Sequence, residues 1–189
     1  VYCGSNFNGD PNLKKAIVDL AKTMVTQNIT LIFGGGSVGV MGVIANEVLK
    51  GGGKAIGIIP QFLMDKEVGH TGLTELIITE NMHQRKQKMI DLAEGFVILP
   101  GGFGTMEELF EVLTWLQLGL HGKPIGVLNI DGFYDPLFAQ MDLMVKNKFV
   151  KQVNRDLVFN ETDAEVLVNK MKSFDAKPDD VWFRERNLF

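Results

Sequence analysis

About seven short apolar runs recur along the chain, each closed by a turn-forming residue and most followed by a longer segment of helical period. They read "VYC" (1–3), "ITLIF" (29–33), "KAIGII" (54–59), "ELIIT" (75–79), "FVIL" (96–99), "PIGVLNI" (124–130) and a weaker "LVF" (157–159). The central runs are apolar throughout rather than alternating, so both faces of each strand must be covered. Between them, Leu13, Ile17, Leu20, Ala21 and Met24 recur at helical spacing, as do Leu109, Val112, Leu113 and Leu116. The pattern predicts an α/β fold: an open, mostly parallel sheet of about seven strands with helices on both faces. Sandwiches and helix bundles do not produce it.

One domain accounts for the length of 189 residues, and its expected extent is 1–171. Residues 172–189 have no steady period and read as a C-terminal tail whose Phe174, Trp182, Phe183 and Phe189 dock on a surface or a partner. Apolar residues make up 46% and charged ones 22%, a globular balance, and the formal charge of -4 attracts neither a nucleic-acid backbone nor an anionic membrane. No apolar run approaches the roughly 20 residues of a membrane helix. The lone cysteine, Cys3, excludes an internal disulfide and fits a reducing compartment, so a cytoplasmic location is the expectation.

In an open parallel sheet the ligand crevice lies beyond the carboxyl ends of the strands, so the residues after each run carry the information about function. Here they are "CGSN", "GGGSVGVMG", "TENMHQRK" and "PGGFGT". Gly34, Gly36 and Gly39 can be forced into a dinucleotide frame, but no acidic residue follows about 20 positions later to hold a ribose. No Gly-Lys-Ser/Thr combination makes a triphosphate loop, and His70, His83 and His121 have no metal-ligand spacing. A metal site is not expected.

"LPGGFGTMEEL" (99–109) admits two readings. Gly101, Gly102 and Gly104 permit a tight backbone whose N–H groups, with the first turn of the next helix, suit a monophosphate. Alternatively Thr105 is the N-cap and Glu108 its capping-box partner. In "NMHQRKQKM", Met82, Arg85, Met89 and Leu92 share one helical face, which aims Arg85 at an internal partner or a cavity. On this reading Lys86 and His83 lie off that face.

"CGSN", "GGGSVGVMG", "MHQRKQKM" and "PGGFGTMEE", in this order and followed by "TWLQLGLHGKPIGVLN", resemble the LONELY GUY family of cytokinin-activating phosphoribohydrolases, whose bacterial members were often labelled lysine decarboxylases. The resemblance covers Val1 to about Met171. It implies a Rossmann-like sheet, a cofactor-free enzyme, and a homodimer or a larger assembly of dimers. It also implies hydrolysis of the N-glycosidic bond of N6-modified AMP, and of AMP itself, to free base and ribose 5-phosphate. Arg85 and Glu108 then fall on catalytic positions. Glu67, Arg85, Lys86, Gly102, Phe103, Gly104, Thr105, Met106, Glu107, Glu108 and Thr114 fall on substrate positions. Gln84, Phe33, Phe103 and Asn6 depart from the family's common residues, which leaves the reaction intact and the preferred base open.

Glycosidic cleavage develops positive charge on the sugar, and a fixed carboxylate stabilises that charge most in the transition state. Glu108 is the expected group. Glu107, about 100 degrees round the helix, cannot reach the same atom and is expected to face the outer nucleotide or solvent. Trp115 and Leu118 read equally as core or dimer contact. The rival function is a carrier that stores a nucleotide without cleaving it; the pairing of Glu108 with Arg85 argues against it. A pyridoxal-phosphate decarboxylase is disfavoured because no lysine has the required partner residues.

Overall fold

The computed structural model describes residues 1–67 and 69–175, and in it the runs become parallel strands in two three-stranded sheets. The first sheet has the order β1 (Leu31–Phe33), β2 (Ala55–Pro60), β3 (Glu75–Thr79); the second has β4 (Phe96–Ile98), β5 (Ile125–Leu128), β6 (Val158–Glu161). Register runs through Leu31 opposite Ala55, Ile56 opposite Glu75, Phe96 opposite Ile125 and Ile125 opposite Val158.

The first expected strand, "VYC", forms only one parallel bridge, Tyr2 to Ile98. It nevertheless lies between the two sheets. Tyr2 N–H donates to the Val97 carbonyl (2.9 Å), Leu99 N–H donates to the Tyr2 carbonyl (3.0 Å), and the Val1 amine donates to the Ile32 carbonyl (2.6 Å). All strands keep one direction, and the order in which they are added reverses at this segment; such a switch point opens a crevice at the strands' carboxyl ends.

Helices cover both faces. On one side lie α1 (Pro11–Thr26), α2 (Gly39–Lys50) and α8 (Ala164–Lys172), packed through Ile17, Leu20, Ile44 and Leu167, each fully buried. On the other lie α4 (Met82–Leu92), α5 (Phe103–Gln117) and α6 (Asp135–Lys146), packed through Met89, Leu109, Val112 and Phe138. Alternation along β4 feeds both layers: Val97 joins the first core, Phe96 and Ile98 the second. Each such aliphatic or aromatic side chain contributes about 1.5–3 kcal/mol by leaving water. Trp115 is half-buried against the second core.

Caps fix where helices begin. Asp10 accepts from Leu13 N–H (2.7 Å) ahead of Pro11, and Asp163 accepts from Val166 N–H (2.9 Å) ahead of α8. Glu67, read from the sequence as a loop residue, closes the short helix α3 (Gln61–Glu67), because the chain turns helical directly after Pro60. Four-residue α7 (Gln152–Arg155) precedes β6. Phe174 meets Phe159 edge-on with ring centres 5.8 Å apart; Trp182, Phe183 and Phe189 lie outside the described residues. No helix among the described residues is long and apolar enough to cross a membrane.

Candidate active site

A cavity of about 210 Å³ opens at the switch point, walled by the Val1–Cys3 segment, Gly34, Met41, Arg85, Met89, the loop from Gly102 to Thr105, and Glu108. Four of the runs singled out by their trailing small residues thus end at one place.

The glycine loop is shaped by close approach. A β-carbon on Gly101 would sit 2.1 Å from Thr105 Oγ1 and 2.8 Å from Gly4 N, so the loop packs against "CGSN" only without a side chain there. By contrast, a β-carbon on Gly102 or Gly104 would meet nothing within 4 Å, so these two border open space. Gly102 is the N-cap of α5 and makes no side-chain cap bond, which leaves the N–H groups of Phe103, Gly104 and Thr105 as the open first turn. This corrects the capping-box expectation. Thr105 is the third helical residue, not the cap, since Phe103 and Gly104 already take helical geometry. Its buried side chain lies against Gly101. A true capping arrangement stands at α4 instead: Asn81 accepts from Gln84 N–H (3.0 Å) and Gln84 accepts from Glu80 N–H (3.0 Å).

Arg85 is buried and pinned. It donates from Nε to the Ile58 carbonyl (3.0 Å) and from Nη2 to the Gly34 carbonyl (2.9 Å), gripping β2 and the end of β1 together. A guanidinium has five N–H donors, so it can grip the backbone and still face the cavity. Gly34 is glycine because of this arginine: a β-carbon would lie 2.2 Å from Nη2.

Glu108 stands one helical turn beyond the loop. Burial pushes its carboxyl up to about 7, against the opposing pull of Arg85. Cys3, in the same wall, is pushed up by burial to about 12 and is no thiolate at neutral pH.

Lys86 corrects the sequence reading in a second way. Expected off the buried face, it is buried beside Arg85, because α4 packs on the sheet with one side and meets α5 with the next. Its ammonium pairs with Glu107 and with Glu111 Oε1 (2.9 Å); Glu107 faces solvent as expected, its side chain 54% exposed, while also engaging this lysine. Burial pulls the Lys86 pKa down, but the two carboxylates outweigh it and the net shift is upward. Leu92, expected on the buried face, is exposed.

The other expected positions are placed as follows. Phe103 is 97% exposed at the cavity mouth, and Met106 is half-buried on the core side of α5. Thr114 is exposed farther along α5 and does not line the cavity. The Glu67 side chain lies outside the described residues. His83 is exposed and outside the lining, and among the described residues no three His, Cys, Asp or Glu groups gather as a metal site. Ser5 and Gly34 belong to the run-ending stretches expected at the crevice and do line it, whereas sequence reasoning missed Val1, Tyr2 and Met89 as wall residues.

The family model described as "Possible lysine decarboxylase" matches residues 41–171. The cytokinin riboside 5'-monophosphate phosphoribohydrolase LOG2 of Arabidopsis thaliana is 43% identical over 194 residues, covering 100% of this chain and 91% of its own length. The phosphoribohydrolase of the same description named LOG, from Oryza sativa subsp. japonica, is 42% identical over 92% of this chain and 72% of its own. The chain belongs to the LONELY GUY family. Among solved structures, a molybdenum cofactor binding protein from Rippkaea orientalis superposes with TM-score 0.67 at 21% identity, covering 90% of this chain and 93% of its own. A Moco carrier protein from Chlamydomonas reinhardtii superposes with TM-score 0.66 at 20% identity, covering 91% and 93%. That likeness shows the fold alone. In this family member Arg85 and Glu108 share one cavity with the Gly102–Thr105 turn, while Lys86, Glu107 and Thr114 are absent from its lining.

Proposed function

We propose that the chain hydrolyses the N-glycosidic bond of cytokinin riboside 5'-monophosphates, and of AMP, to free base and ribose 5-phosphate. The observation that carries this is the convergence in one cavity of an open helix N-terminus, a mostly buried carboxyl and a backbone-pinned arginine. Relatives above 40% identity bear that activity in their names, whereas carrier proteins match only in fold near 20%. A pure carrier has no use for a carboxylate beside a phosphorylated sugar, where it repels the ligand.

The 5'-phosphate rests on the N–H groups of Phe103, Gly104 and Thr105 at the positive end of α5. This fixes the ribose and turns remote binding energy into orientation at C1'. As the bond from C1' to the base nitrogen breaks, its electron pair leaves with the base and positive charge spreads over the ring; water then adds its hydroxyl to C1', and the proton it gives up is matched by the one taken up on the base. Ionised Glu108 stabilises that charge and orients the water. Arg85 holds substrate oxygens by charge-assisted bonds; a guanidinium stays protonated, so it is not the proton donor.

The enclosed volume is below the roughly 300–1,000 Å³ of typical small-molecule pockets, so the base extends past Phe103 toward the open mouth. A homodimer that covers this mouth fits the exposed Phe103 and the position of Thr114 outside the cavity. We place the activity in one domain, 1–171, followed by a tail, and assign it to the reducing cytoplasm. The test is incubation with isopentenyladenosine monophosphate and with AMP, followed by chromatography. Free base and ribose 5-phosphate are expected; intact nucleotide from both overturns the reading. Sedimentation velocity decides the dimer.

A further inference from the structure

The motif that suggests substrate contact for both Arg85 and Lys86 hides a division between them. Arg85 lines the cavity, whereas Lys86 does not. The Lys86 side chain is 11% exposed, and its ammonium is committed to two carboxylates one turn apart on α5, Glu107 and Glu111. Four residues of separation place those carboxylates on one helical face, so a single cation between them fixes both the rotation and the height of α5 relative to α4. The same two helices carry the two groups proposed to act on the substrate. Arg85 is the preceding residue on α4, and Glu108 directly follows Glu107 on α5.

We infer that Lys86 is a positioning residue: by clamping Glu107 and Glu111 it sets the register of α5 against α4 and so aligns Glu108 and the open first turn with Arg85. This deepens the proposed reaction and rests on it. The clamp has an electrostatic consequence as well. Glu108 is faced by Arg85 and Lys86 from α4, by Glu107 from its own helix, and by Tyr2 and Cys3 from the segment between the sheets. Within that set Glu107 raises the proton affinity of Glu108 and Lys86 lowers it. Removal of the lysine leaves two carboxylates unbalanced beside a third.

The experiment is a kinetic double-mutant cycle of K86M against E107Q/E111Q, with K86R as the conservative variant. A positioning role predicts that K86M lowers kcat by about 10- to 100-fold, the scale of a catalytic group displaced by an ångström, with little change in KM. The acid limb of its pH profile moves to higher pH, K86R restores most turnover, and in the E107Q/E111Q background K86M costs less than about twofold more. A rise in KM at unchanged kcat, equal in both backgrounds, makes Lys86 a direct substrate contact and overturns the proposal. Should the wild-type chain release no base, the reaction reading is what has failed. The clamp is then decided by the same cycle in urea: strictly additive midpoint changes overturn it, and a shortfall from additivity supports it.

Discussion

Glu108→Gln is expected to make the protein more stable and less active, and the stability gain depends on pH in a way that only this carboxyl explains. In the folded chain burial lifts the group from its ordinary 4.5 to about 7. Such a group favours folding fully below its unfolded value. Between pH 4.5 and about 7 the native state retains a proton that the unfolded state has lost, so the favourable contribution fades as pH rises and is gone above 7. At 1.36 kcal/mol per pH unit the total is about 3 kcal/mol. Replacement by neutral glutamine removes the cost of the buried charge. The variant is therefore expected to exceed the wild type by about 2–3 kcal/mol at pH 8.5 and by almost nothing at pH 4.5. For a chain of this size that is about 5–10 °C in melting temperature at the higher pH. Urea unfolding across the range measures it, and turnover with AMP measures the accompanying loss of about two orders of magnitude expected for a transition-state electrostatic group. A difference in stability that stays constant with pH refutes the assignment of a buried, proton-retaining Glu108.

Gly34→Ala drives a β-carbon to within 2.2 Å of Arg85 Nη2, so the guanidinium must leave the Gly34 carbonyl; turnover is expected to fall about 100-fold while circular dichroism stays native. Gly102→Ala places its methyl in open space, so unfolding stability should change by less than about 0.5 kcal/mol while the KM for the nucleotide rises about tenfold, since the methyl occupies room the phosphate needs. An unchanged KM in that variant argues against the phosphate seat. Arg85→Met removes the cation that holds the Glu108 proton affinity down, so its activity at pH 7 should drop and recover in part as pH is raised toward 9. A loss of the same size at every pH would mean that Arg85 contributes only by contact with substrate.

Much of this architecture is local and can be read residue by residue. Apolar runs such as "ELIIT" become strands with the bounds the run suggests, and the spacing of Leu13, Ile17, Leu20, Ala21 and Met24 marks the buried face of α1. The lining of the candidate cavity was legible where polar and small residues follow strand ends, as with Gly102, Thr105 and Glu108. What the sequence did not disclose depends on partners far along the chain. Arg85 is held by carbonyls 27 and 51 positions away, and Lys86 is buried because carboxylates 21 and 25 positions later come to meet it. Helical spacing on α4 alone therefore placed Lys86 on the wrong side. The start of α5 was displaced for a different reason: a Thr-x-x-Glu pattern looks the same whether or not the glycines before it have already entered the helix.

The cavity gathers groups of opposite polarity, and the backbone supplies some of them. The Gly34 carbonyl just past β1 and the Ile58 carbonyl within β2 accept from Arg85, and amides at the start of α5 border the proposed phosphate seat. These dipoles are part of the fold and need no reorganisation when charge moves during the reaction. The side chains add what the backbone cannot: one mobile proton on Glu108 and one fixed cation on Arg85. Burial outweighs the opposing pull of Arg85, so Glu108 keeps a proton affinity near neutrality even with that cation in the same cavity. A tightly paired carboxylate would have little negative potential left for the sugar ring. The carbonyls of Gly34 and Ile58 hold Arg85 in place while it lines the same small cavity as Glu108, so the carboxylate stays available to the developing positive charge only as long as that cation keeps its backbone partners.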